Sequence, residues 1–433
     1  MDIKRVEIAE RAVTSSSREA IFWPELDGLR AVACGLVVVA HFNPWIGNYS
    51  SPVLSPIKAI DPGNVGVMLF FGLSSFLLTS VCLSEIDRHG RFDLRTFYLR
   101  RIFRIWPLYF FMLLLTFFVV SPAMPLPQAP GAATTPEQWA WVKKSVGFYA
   151  VFLGNWIDHT VSEIGILWTI CVEEQFYLVL PFILLLVVHL RRKYVVLVVA
   201  VASTTLAILF LSRVPGLSSP YYQTTTYIST FVFGGAAAFV VRRRLLPRIW
   251  SGPMPLFGLA VLVAILLANS GFWWGPYGLS VAALYSIVPV LLVLLILWVA
   301  TNSGASHLSP LRSPLCRSLG ILSYAIYLAH VIVHRLVNLE AHLLELPRAP
   351  AFLAYHLLFF QYLMGSIFLA ALAHGLVERP VLKLRKRAVP STEASAIDAR
   401  WSVDWVFAAI VAGGLSVLCL LALWTVSLMA TGR

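Results

Sequence analysis

Runs of about 18 or more apolar residues recur from residue 29 to residue 428, each long enough as a helix to cross a hydrocarbon core about 30 Å thick. Segments apolar on every side cannot all be buried in one water-soluble core. In lipid they satisfy their backbone groups internally, as helices. The supply of charge agrees: 12% of residues are charged, against about 25% in soluble domains. The expected fold is all-α, a polytopic integral membrane protein of about eleven transmembrane helices. Spans are placed at 29–47, 64–83, 104–121, 166–190, 194–212, 225–241, 254–270, 278–300, 319–338, 353–377 and 402–428. Segment 145–157 is too short to cross and is expected to lie at the interface or dip in.

The net charge of +12 would raise the question of nucleic acid in a soluble protein. Here Lys and Arg sit in short clusters between apolar runs, so no nucleic-acid partner is expected and lipid is the surrounding partner. With the N-terminus inside, 26 of the 33 Lys and Arg fall in cytosolic segments. That asymmetry predicts a cytoplasmic N-terminus and an outer C-terminus, as in a bacterial inner (plasma) membrane protein. The first 25 residues mix both charge signs without an apolar core. They read as a cytosolic tail before an uncleaved span rather than a signal peptide. The expected organisation is a tail (1–25), a membrane domain (26–387), a cytosolic linker (388–401) and an additional C-terminal helix (402–433). Trp273, Trp274 and Tyr277 fill a short outer turn as interface anchors. The five cysteines form no C-x-x-C pair, so no metal site or disulfide framework is expected.

An ionisable group at the bilayer centre costs about 2.5–3.5 kcal/mol, so each needs a partner or a function. Four places stand out. Asp27-Gly28-Leu29-Arg30 leads into a helix that carries His41, about 16 Å above Arg30. Arg95, Arg100, Arg101 and Arg104 form a cytosolic cluster in which Arg100 and Arg104 share a helix face. Paired guanidiniums can grip a phosphate bidentately, although the cluster also suits a simple topology anchor. Glu173 and Glu174 lie about two turns into a span, diverging by about 100°, so at most one is expected to face a common cavity. Tyr324, Tyr327, His330 and His334 make a polar stripe suited to interhelical hydrogen bonds.

Taken together these segments resemble the acyltransferase-3 family of membrane O-acyltransferases. The matching blocks are ELDGLRAVACGLVVVAHF (25–42), GVMLFFGLSSFLL (66–78), FYLRRIFRIWPLY (97–109), LWTICVEEQFYLVLP (167–181), LGILSYAIYLAH (319–330) and ERP (378–380). The resemblance implies a ten-helix core, with span 402–428 beyond it. It also implies transfer of an acyl group, by family habit acetyl, from acyl-CoA to a hydroxyl of a glycan, lipid or small molecule. Acyl-CoA is then a cosubstrate, and no permanently bound cofactor is expected. Arg30, His41, Arg101 and Arg104 would matter for activity, the Arg pair by contacting CoA phosphates. Two positions depart from the family pattern. Ser75 stands where glycine is usual, and Cys171 where serine is usual. Some relatives carry an attached esterase-like domain, which this sequence is expected to do without.

The expected mechanism places CoA phosphates on Arg100, Arg101 and Arg104, with Arg30 at the same binding end. His41 is the general base, and Glu173 or Glu174 orients its imidazole. A covalent acyl-enzyme through Cys171 or Ser323 is a variant of this scheme. The competing expectation is a multi-span transporter or flippase for a lipid-linked or small polar substrate. Against it stand the lack of a visible internal repeat and of a nucleotide-binding loop.

Overall fold

The computed structural model describes residues 22–42, 51–55, 61–90, 92–120, 136–157, 163–189, 220–243, 245, 278–344, 351–388, 413–416 and 423. Expected spans 194–212 and 254–270, nearly all of 402–428, the tail to residue 21 and linker residues 389–401 lie outside them. So do Trp273, Trp274 and Tyr277. The described residues are helical or irregular, with no strand among them.

The helices are α1 (Pro24–His41), α2 (Pro62–His89), α3 (Leu94–Leu115), α4 (Pro136–Ala150), α5 (Trp168–His189), α6 (Ile228–Arg242), α7 (Gly278–Thr301), α8 (Pro314–Leu343), α9 (Ala351–Ala373) and α10 (Arg379–Ala388). Six candidate spans are long and apolar enough to cross a membrane, one each over α2, α3, α5, α6 and α8, and one from α9 into α10. A seventh candidate joins Ile287–Thr301 to Ser306–Arg312 across a bend of 106°. The expected eleven is therefore not reached among the described residues. α1 falls outside this group because Glu25, Asp27 and Arg30 crowd its first two turns, yet it is the hub, packed against α2 and α8.

Local chemistry sets the helix ends. Asp61 caps α2 by accepting from the Asn64 N–H at 3.3 Å, and Pro62 follows at the first helical position. Gly90 closes the same helix at φ 65°, sending its N–H to the Ile86 carbonyl at 2.8 Å. Asp93 starts α3 by accepting from the Thr96 N–H at 3.2 Å and the Thr96 hydroxyl at 2.7 Å. This cap starts the helix ten residues before the expected span, so all four arginines ride on α3. Segment 145–157 is the end of α4 followed by a tight turn, with Phe152 at φ 57°.

Glu25 is buried at the start of α1. It accepts from Arg312 Nη1 and Ser303 Oγ, each at 2.8 Å, and from the Gly304 N–H at 2.9 Å. Burial pushes this carboxyl up, but those three donors outweigh it and leave it below the usual carboxylate range. The loop after α7 is thereby pinned to α1. Trp23 adds to this end by donating to the Ala300 carbonyl at 3.0 Å.

Without water to drive apolar faces together, membrane helices gain from close backbone approach at small residues. A Cβ at Gly320 of α8 would collide with the Asp27 carbonyl oxygen, and one at Gly66 of α2 would lie 2.6 Å from the Ala33 oxygen. One at Gly234 of α6 would lie 2.6 Å from the Gly72 oxygen. In each case the obstacle is backbone, which cannot swing aside. Gly320→Val is therefore expected to abolish recovery of folded protein in size-exclusion chromatography. Gly35→Ala, whose Cβ would meet nothing within 4 Å, leaves recovery unchanged.

Candidate active site

Eleven residues at 100° each bring a helix back to within about 20° of its starting direction, so Arg30 and His41 project from one face of α1. They stand about 16 Å apart at its two ends. His41 is exposed and Arg30 half-buried.

At the far end of α1, His41 Nδ1 lies 2.9 Å from the Val37 carbonyl oxygen. A carbonyl only accepts, so Nδ1 carries the hydrogen and Nε2 keeps its lone pair. That is the tautomer a general base needs. The ring of His330 stands edge-on to His41 at 5.0 Å, followed by Tyr327 at 5.6 Å from His330. His330 is fully buried, and neither of its ring nitrogens has a well-aligned hydrogen-bond partner.

At the near end, Arg30, Arg101 and Glu173 converge within electrostatic reach of one another. Ser74 Oγ donates to Glu173 Oε1 at 2.9 Å. Glu174 points elsewhere and accepts from Trp106 Nε1 of α3 at 2.9 Å. The two carboxylates therefore serve different helix pairs, as the 100° divergence of neighbours requires. Neither is among the hydrogen-bond partners found for His41. The backbone carbonyl of Val37 orients the imidazole where a carboxylate was expected.

The arginines separate as well. Arg104 is paired with Glu378, whose other oxygen lies 2.8 Å from His374 Nδ1. A π-helical turn over His374–Glu378 presents both side chains toward α3. Among the described residues no ion pair engages Arg30, Arg100 or Arg101, and Arg30 Nε is buried without a partner. Cys171 is sealed away, its sulfur 3.7 Å from the hydroxyl of the fully buried Tyr109. Ser323 is buried too, and its carbonyl accepts from Cys34 at 3.5 Å.

Ser75, which departs from the family pattern, donates to the Phe231 carbonyl of α6 at 2.5 Å. Gly234 faces it, so the glycine needed for close approach sits on the partner helix. Several groups here were missed by sequence reasoning: Val37, Ser74, Trp106, Tyr177 beside Glu173, His374 and Glu378. The one available signal was the four-residue spacing of His374 and Glu378 just before Arg379-Pro380.

A helical membrane protein with a charged interior and a base-competent histidine defines the class. The sequence model of the acyltransferase-3 family, described as an acyltransferase domain, matches residues 23–375, and the chain belongs to that family. It is 27% identical over 230 residues to O-acetyltransferase OatA of Staphylococcus aureus (strain NCTC 8325 / PS 47), covering 51% of this chain and 35% of that protein. It is also 27% identical over 345 residues to a protein of S. aureus (strain MSSA476) named "Putative O-acetyltransferase SAS0844", covering 73% of this chain and 51% of that one. The matches thus span about a third to a half of those relatives' length. No solved structure matches the chain.

Proposed function

We propose that the protein is a membrane O-acyltransferase that moves an acetyl group from acetyl-CoA to a hydroxyl of a glycan, lipid or small-molecule acceptor. The observation that carries this reading is the single face of α1, with Arg30, joined by Arg101 of α3, toward one end and a free imidazole nitrogen at the other. The CoA phosphates meet Arg100 and Arg101 from the cytosolic side, with Arg30 deeper on the same path. A fully extended pantetheine arm reaches about halfway across a core of roughly 30 Å, which brings the thioester toward His41. Nε2 of His41 takes the acceptor's hydroxyl proton as the oxygen attacks the thioester carbonyl. The C–S bond breaks, and the imidazolium returns the proton to the departing CoA thiolate. The relatives named as O-acetyltransferases support acetyl as the group moved.

Orientation follows the charge pattern, with the N-terminus and the α3 arginines on the cytoplasmic side of a bacterial inner membrane. Charge-assisted hydrogen bonds contribute about 1.5–3 kcal/mol, or about 10- to 150-fold. Arg101→Ala is therefore expected to raise KM for acetyl-CoA by about that factor while leaving KM for the acceptor unchanged. The assay is CoA thiol release by purified protein in lipid nanodiscs supplied with a cell extract as acceptor source. No release together with no saturable acetyl-CoA binding would overturn the proposal and favour a transport role.

A further inference from the structure

The mechanism above leaves one cation near Arg30 unused. Arg317 lies in the first turn of α8 and is half-buried. Two contacts fix its depth. Gly320 of α8 abuts the Asp27 carbonyl of α1, and further along both helices the Cys34 thiol donates to the Ser323 carbonyl. The two helices therefore run the same way. Arg317, one turn before Gly320, sits about 9 Å nearer the cytosol than Arg30, one turn after Asp27. Its direction is fixed as well. Seven residues return a helix to within about 20° of its starting direction, so Arg317 shares a face with Tyr324. The Tyr324 hydroxyl donates to the Ile105 carbonyl of α3 at 2.9 Å, so that face is turned toward α3. On α3, Arg101 stands about 6 Å to the cytosolic side of Ile105, whereas Arg317 stands about 10 Å to the cytosolic side of Tyr324.

Charge ties the same residues together. Asp27 lies within electrostatic reach of Arg30, Arg317 and Arg104, and Arg30 within reach of Arg101. Arg104 is committed to Glu378. Arg30 of α1, Arg101 of α3 and Arg317 of α8 thus bring three guanidiniums from three helices to one mouth. Among the described residues no ion pair engages Arg317, and its Nε has no hydrogen-bond partner. Its guanidinium carbon stands 5.8 Å from the centre of the Phe22 ring. A cation over a ring face keeps its in-plane N–H groups available for an anion. Like charges gathered in one place repel, and a polyanion seated among them relieves that repulsion.

Acyl-CoA carries its groups in a fixed order from the thioester: the pantetheine arm, the diphosphate, then a ribose bearing a 3′-phosphate. With the thioester directed toward His41, the 3′-phosphate lies farthest toward the cytosol. Of the three guanidiniums at the mouth, Arg317 is the one at that depth. We propose that Arg317 binds the 3′-phosphate of acyl-CoA and makes the site selective for CoA over its 3′-dephospho form. Arg100 and Arg101 are then left to the diphosphate, with Arg30 deeper. That this mouth receives acyl-CoA at all rests on the function proposed above.

The test uses the full chain in nanodiscs and measures equilibrium binding of acetyl-CoA and of acetyl-3′-dephospho-CoA. Wild type is expected to bind acetyl-CoA about 10- to 150-fold more tightly than the dephospho form. Arg317→Gln should abolish that preference by weakening acetyl-CoA alone. Its unchanged affinity for the dephospho form also shows that the variant is folded. Arg317→Lys keeps the charge without the bidentate fork and should retain part of the preference. Arg101→Ala, which faces the diphosphate common to both ligands, should weaken both alike. Equal binding of the two ligands by wild type overturns the proposal, whatever the variants do. So does a preference that survives Arg317→Gln, or a loss there that falls on both ligands equally, as a residue that merely balances Asp27 would give. Those three outcomes leave the acyltransferase reading standing. Saturable binding of neither ligand would remove that reading and the 3′-phosphate site with it.

Discussion

His41→Ala is expected to lower CoA thiol release from acetyl-CoA by about 10²- to 10⁴-fold, the usual contribution of a positioned general base. The effect should fall on turnover. Arg30 and Arg101, which stand at the opposite end of α1, lie too far away for acetyl-CoA binding to change. His41→Gln is the sharper variant. Glutamine can still donate to a backbone carbonyl as His41 does to Val37, but it has no basic nitrogen and should lose as much activity as alanine. If glutamine instead restored most of the rate, His41 would be a hydrogen-bonding strut and the base would lie elsewhere. His330 gives a graded control. It touches His41 only ring edge to ring face at 5.0 Å, so His330→Phe should cost far less than either change at His41. Wild-type turnover by folded His41→Ala protein would end the general-base mechanism.

Much of this was legible in the sequence because it depends on periodicity within one helix. Arg30 and His41 share a face by virtue of being eleven residues apart, and Glu173 and Glu174 diverge because they are adjacent. The apolar runs predicted the described spans to within a few residues at 278–300, which folds as Gly278–Thr301. They missed the start of α3 because a polar helix end leaves no hydropathy signal; only the Asp93 cap marks it. What no spacing could show was partner choice across helices. Glu174 meets Trp106, 68 residues away, and Arg104 meets Glu378, 274 residues away. The orienting group of His41 was hidden for a different reason. It is a main-chain carbonyl, which every residue possesses and no side-chain motif announces.

Arg104 is where sequence and structure assign different work, and its loss is expected to cost stability rather than cosubstrate affinity. The resemblance implies a phosphate contact. In the structure its guanidinium is committed to Glu378, a carboxylate 2% exposed that also binds His374. Removing one partner of such a buried pair leaves the other uncompensated and costs about 3–5 kcal/mol. Arg104→Ala and Glu378→Gln should therefore both lower the thermal stability of the nanodisc-embedded protein, Arg104→Ala more because a bare carboxylate remains. The double variant Arg104→Met with Glu378→Leu should recover much of the loss, since replacing both charges with apolar groups of similar size can be nearly neutral. A double-mutant cycle on unfolding temperature reads this coupling directly. KM for acetyl-CoA separates the two roles. A phosphate contact predicts a raised KM in Arg104→Ala with unaltered melting, and no loss of affinity in Glu378→Gln, where an opposing negative charge has gone. A strut predicts that both variants melt early together and that the charge-free pair is stable. In that case α3 is held to the α9–α10 junction by Arg104, and its neighbours Arg100 and Arg101 are left free to meet the cosubstrate.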